Sequence, residues 1–114
     1  MSLSKRFDNI SYTIKNENYI TSQSFSNENI FEEECFHYDY VIGNPPYMKI
    51  PKDAVEALAM PEVCYGAPNL YFLFWAMGIH NLKEGQELVY IIPRSWTSGA
   101  YFKKFREYLF EKCV

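Results

Sequence analysis

The nine residues Asp39-Tyr40-Val41-Ile42-Gly43-Asn44-Pro45-Pro46-Tyr47 constrain this chain more than any others. Tyr40 to Ile42 is a short apolar run of β-branched and aromatic residues that stops at Gly43. Runs of this kind, ended by Gly and Pro, read as buried strands. The stretch therefore predicts a strand that delivers Asn-Pro-Pro-Tyr to a loop at its C-terminal end. In open α/β sheets that is where ligands bind.

The four loop residues carry specific chemistry. Asn44 offers a carbonyl acceptor and an NH2 donor. Pro45 keeps its carbonyl but has no N–H, and Pro45 and Pro46 together fix φ and stiffen the loop. The Asn44 side-chain oxygen and the Pro45 main-chain oxygen can thus stand as two acceptors at a fixed spacing, which suits a planar NH2 group. Tyr47 adds a flat face for a base or another planar amide. Gly43 lets the backbone turn where a side chain would obstruct it. A plain strand end, with Asn44 capping a turn and the prolines stopping the sheet, would need neither Tyr47 nor the Asp39-led strand.

The motif Asp-Tyr-Val-Ile-Gly-Asn-Pro-Pro-Tyr resembles the catalytic motif of the amino-group methyltransferases that use S-adenosylmethionine. The resemblance implies that Asn44 and Pro45 hold a target NH2, that Pro46 completes the motif, and that Tyr47 stacks on the target. Three branches share the motif, acting on adenine N6 in DNA, on base amines in RNA, and on a glutamine amide in protein. Ile92-Pro93-Arg94-Ser95-Trp96 is similar to a strand end of the DNA branch. The resemblance thus implies a DNA N6-adenine methyltransferase of restriction–modification type, with S-adenosylmethionine as cofactor and DNA as partner. In that branch an aromatic at the position of Phe74 lies against the cofactor's adenine; ordinary core packing is the competing reading.

The rest of the chain fits an α/β order. Ala54 to Met60 has good helix formers, and Pro61 ends it. Asn69 to Leu82 predicts a helix capped by Asn69, apolar nearly all round and so buried on more than one side. Lys83-Glu84-Gly85 is expected to end it, with Gly85 in the C-terminal stop position. Leu88 to Ile92 is a continuous apolar run, the pattern of a strand covered on both faces. Ser95 or Ser98 is expected to cap a last amphipathic helix, Ala100 to Lys112. Phe102, Phe105 and Leu109 form its apolar stripe, with Lys103, Lys104, Arg106 and Glu107 largely opposite. Strand, long loop, helix, strand, helix over residues 38–112 reads as half of a Rossmann-like methyltransferase fold, with residues 1–38 a less defined N-terminal segment and 39–114 carrying the motif. Short strands are expected at Ser11 to Ile14 and Tyr19 to Thr21, around a polar turn at Asn16-Glu17-Asn18.

Composition sets limits. A net charge of −3 is not the basic footprint of a self-sufficient DNA binder. Lys49 and Lys52 are candidate phosphate contacts or plain surface. Aromatic residues, at 18%, exceed what a small core needs. Cys35, Cys64 and Cys113 are widely spaced and odd in number, which argues against a disulfide framework or zinc site and for reduced thiols in the cytoplasm. His37 and His80 stand alone. The run Glu32 to Glu34 reads as a solvated face rather than a metal site. No apolar run long enough to span a membrane and no signal peptide is present.

The five glycines are never closer than seven residues, so no Gly-x-Gly cofactor turn exists. The expectation is therefore a middle piece of a larger methyltransferase, inactive alone. Removing the cofactor half would expose a sheet edge, which predicts self-association or cover from the N-terminal segment. A protein glutamine or RNA amine methyltransferase, or a non-catalytic assembly module, are the alternatives.

Overall fold

The expected strand forms at Tyr38–Gly43 (β1), in a computed structural model that describes residues 10–23 and 38–113. It pairs in parallel with β2 (Leu82–Tyr90), setting Val41 opposite Leu88, Ile42 opposite Val89 and Gly43 opposite Tyr90. A parallel pair needs a long crossover. Residues between the strands supply it as α1 (Val55–Ala59), a 3-10 turn at Pro61–Val63 and α2 (Leu70–His80). After β2, 3-10 turns at Arg94–Thr97 and Ala100–Phe102 lead into α3 (Lys103–Lys112). Among the described residues the fold is thus a small α/β unit around a two-stranded parallel sheet.

The core is built on α2. The Asn69 side chain accepts from the Tyr71 N–H and caps the helix as expected. Tyr71, Phe72, Leu73, Ala76 and Met77 are fully buried. One side of α2 lies on the sheet at Gly78, where a Cβ would sit 2.6 Å from Leu88 Cδ1 and 2.8 Å from the Tyr90 hydroxyl. The other side meets α3 and the segment before it. Phe72 stacks on Phe105 at 5.2 Å, and Trp75 packs against Trp96 at 5.1 Å and Phe105 at 4.9 Å. Burying a side chain such as Phe105 contributes roughly 1.5–3 kcal/mol, so this cluster is where much of the aromatic content goes.

Several expectations are corrected. α2 stops at Asn81, whose N–H returns to Met77 O, and not at Gly85. Lys83-Glu84-Gly85 lies inside β2. Between the pairs Tyr38–Leu82 and Tyr40–Glu87 the register is irregular, and Gly85 takes φ +82° there. A left-handed glycine serves a bulge as well as a helix stop, so the residue type did not separate the two.

The sheet is covered on one face only. Ile42 is 77% and Val89 57% exposed, while Val41 and Leu88 are half-buried. Neither Ser95 nor Ser98 caps α3: its first turn is preceded by a 3-10 turn, and no side chain bonds its N-terminus. Phe105 and Leu109 are buried and Lys103, Lys104 and Glu107 exposed, as expected. Arg106 is not on the solvent side, since its guanidinium donates to Trp96 O at 3.2 Å and Gly99 O at 3.1 Å.

No strand forms within residues 10–23. Asn18 Oδ1 accepts from the N–H groups of Ile20 and Thr21, a side-chain turn that outcompetes the extended chain. It sends Ile20 into the core, fully buried, and Tyr19 onto Phe74 with rings 5.3 Å apart. The N-terminal segment thus covers part of α2. The acidic run Glu32 to Glu34, Cys35 and His37 lie outside the described residues. Among those described, no helix is long and apolar enough to cross a membrane, and no group of His, Cys, Asp or Glu is placed to hold a metal ion.

Candidate active site

Asn44-Pro45-Pro46-Tyr47 follows β1 directly, with Pro45 buried and the other three exposed. The end of β2 clamps this loop through one residue. The Ile91 N–H donates to Gly43 O at 3.3 Å, and the Ile91 carbonyl accepts from the Tyr47 hydroxyl. The same hydroxyl oxygen lies 3.2 Å from Asn44 Oδ1. The Tyr47 ring stands edge-on to Tyr71, centroids 6.0 Å apart, and the Tyr71 hydroxyl lies 3.0 Å from Ser95 Oγ. The two stretches that stand out in the sequence, Asn44 to Tyr47 and Ile92 to Trp96, are therefore neighbours joined through Tyr71 and Ile91.

The far side of the loop is fixed as well. Asn69 Oδ1 accepts from the Met48 N–H at 3.2 Å while capping α2, and the Leu70 N–H donates to Met48 O at 2.7 Å. Ile50 N–H donates to Pro68 O at 2.9 Å. The motif loop is thus tied to the N-terminus of α2 on one side and to the end of β2 on the other. At Gly43 a Cβ would come within 3.1 Å of the Tyr90 ring, so a side chain there would press on Tyr90, whose hydroxyl donates to Phe74 O.

A wide-mouthed cavity of about 500 Å3 opens beside the loop. Asn44, Pro45 and Pro46 form one wall, and Tyr19, Phe74 and Tyr90 form an aromatic wall. Its size lies within the range of small-molecule sites, roughly 300–1,000 Å3. Among the described residues, no charged side chain lines it. Burial pushes the Tyr19 and Tyr90 hydroxyls up, so both are neutral donors or acceptors at neutral pH. Tyr47 is not among the residues that line this cavity, and it is half exposed. Lys49 Nζ sits 5.0 Å over the Tyr101 ring, and Lys52 is exposed.

The structure brings Asn44, Pro45, Pro46 and Phe74 to one cavity and sets Tyr47 beside it. Sequence reasoning missed Ile91, which acts through its backbone and so leaves no mark in residue type. It also missed Tyr19. The signal there was an Asn followed by two apolar residues, Asn18-Tyr19-Ile20, which reads as a side-chain turn with an apolar anchor behind it.

Comparison with known proteins fits this geometry. The chain is 43% identical over 76 residues to the Type II methyltransferase M.PstI of Providencia stuartii, covering 67% of this chain and 15% of that protein. It is 30% identical over 115 residues to the Type II methyltransferase M.BsuBI of Bacillus subtilis, covering 98% of this chain and 23% of that protein. It is 32% identical over 90 residues to the Type II restriction enzyme and methyltransferase RM.Eco57I of Escherichia coli, covering 73% of this chain and 9% of that protein. The chain thus spans less than a quarter of these relatives. With residues 2–114 matching its family description, the chain belongs to the Eco57I restriction-modification methylase family.

Proposed function

We propose that this chain is the catalytic segment of a DNA adenine-N6 methyltransferase that uses S-adenosylmethionine and belongs to a restriction–modification system. The observation that carries the reading is the clamped Asn44-Pro45-Pro46-Tyr47 loop at the C-terminal end of a parallel strand, beside an aromatic-walled cavity. Two proline-stiffened acceptors would receive both N–H groups of one amine and draw it towards a tetrahedral shape, so that its lone pair points outward. The Tyr47 face would support a flipped base, and orientation of this kind is most of what the protein supplies.

The cavity fits part of the cofactor. Phe74 and Tyr19 would hold the flat adenine ring, as the resemblance implies for Phe74. Among the described residues no carboxylate lines the cavity to receive a ribose diol or an ammonium group, so those parts need residues outside the described wall. When bound, the cofactor supplies the methyl group.

In this reading β1, α2 and β2 are one strand–helix–strand unit of a Rossmann-like sheet, in a cytoplasmic protein. The open edge of the sheet makes the isolated chain self-associate, and the isolated chain is inactive. Labelled methyl transfer from S-adenosylmethionine to duplex DNA, RNA and protein, run in parallel with the full-length protein, tests the substrate. Label in DNA as N6-methyladenine is expected. Label in a protein glutamine or an RNA base would overturn it.

A further inference from the structure

We propose that the Tyr47 hydroxyl is a positioning group that fixes which end of the Asn44 amide faces the amine to be methylated. The inference rests on reading Asn44 as the acceptor for that amine. A phenol has one proton. The Ile91 carbonyl is the nearer partner of the Tyr47 hydroxyl and can only accept, so the proton lies there. The second contact, 3.2 Å from the Tyr47 oxygen to Asn44 Oδ1 as placed, then sets two acceptors face to face, and turning the amide over supplies the donor it needs. Only its NH2 provides one. The oxygen and nitrogen of an amide are told apart by their partners, and these partners favour the turned-over amide, with Nδ2 at the Tyr47 oxygen. Turned over in this way, the amide carries Oδ1 at its other end, where it can accept from an incoming amine. The relay from Ile91 C=O through Tyr47 O–H to the Asn44 NH2 thus has a direction. Reversing the amide would set a donor against the donor of the substrate and leave the acceptor facing a lone pair.

The test is single-turnover methyl transfer by the full-length protein, with labelled S-adenosylmethionine and unmethylated, mixed-sequence duplex DNA. Tyr47→Phe keeps the flat ring and removes the proton. Its rate constant at saturating DNA should fall about 10-fold or more, since a misplaced reacting group is costly, with KM for DNA within about threefold because the stacking face remains. In an Asn44→Asp background both ends of the side chain accept, so orientation has no consequence. Tyr47→Phe added there should change the residual rate less than about threefold, a non-additivity expected only of coupled groups.

Equal losses in the two backgrounds would show that the hydroxyl acts some other way and would overturn the proposal. Should the Asp background be too slow to read, the side-chain NH2 resonances of Asn44 give a second reading. They should shift in Tyr47→Phe, and an unchanged pair overturns the relay. A wild-type rate in Tyr47→Phe beside an inactive Asn44→Ala overturns the relay alone. A wild-type rate in Asn44→Ala overturns the reading of Asn44 and the relay with it.

Discussion

The hydroxyls of Tyr71 and Ser95 meet at 3.0 Å, and the two residues come from opposite environments: Tyr71 is fully buried and Ser95 exposed. The bond ties the helix after the motif loop to the segment after β2. Removing either partner has unequal consequences. In Tyr71→Phe the exposed Ser95 turns to water. In Ser95→Ala a buried hydroxyl loses a partner and keeps only its backbone contact at Trp96. Ser95→Ala should therefore cost at least as much as Tyr71→Phe, about 0.5–1.5 kcal/mol. Urea midpoints of the two variants check the order.

Asn69 holds two donors with one oxygen, the Tyr71 N–H of the helix start and the Met48 N–H of the motif loop. Asn69→Ala should cost about 1–2 kcal/mol, towards the upper end of a cap deletion. Asn69→Asp, which keeps the acceptor, should retain most of the stability. Denaturant unfolding of both variants measures this.

Stability should fall in alkali for a definable reason. Burial raises the Cys64 thiol to about 11, and raises Tyr19, Tyr71, Tyr90 and Tyr108 above their ordinary value. A group raised in the folded state ionises first in the unfolded chain. Its contribution is complete below its unfolded pKa and is lost as pH rises through the folded value. Unfolding midpoints should be level up to about pH 9, the ordinary thiol value. They should fall from there to about pH 11 for Cys64, and beyond pH 10 for the tyrosines. Cys64→Ala should flatten the first part of the fall, and Tyr108→Phe the later part. A midpoint that rises across this range would contradict the account.

Phe74 stacks on Tyr19 and lines the cavity. If the cavity takes the adenine ring of the cofactor, Phe74→Ala in the full-length protein should weaken S-adenosylmethionine binding roughly 10-fold, in line with the loss of one stacking face. Tyr19→Ala should act in the same direction. Calorimetric titration gives both.

Much of this was legible in the sequence where local chemistry has one solution. Asn69 before an apolar run could only cap, and the apolar run ending at Gly43 and Pro45 could only close a strand. What escaped was set by contacts distant in sequence. Gly85 announces a left-handed turn, but whether it ends a helix or bulges a strand depends on Tyr38 and Tyr40 pairing with β2. The run at Val89 looked doubly covered because its residues are apolar, yet what an apolar side chain meets is not written in its own type. Ile91 serves the site through its backbone, which residue identity does not encode.

Asn44→Ala in the full-length protein is the most direct test of the central claim. Labelled methyl transfer to duplex DNA should fall about 100-fold or more, the scale of losing one preorganised polar contact at a reacting centre. The thermal midpoint should stay close to that of the parent, because Asn44 is exposed. Turnover at the parent rate would contradict the assignment of Asn44, and with it the account of the loop as the place where the amine is held.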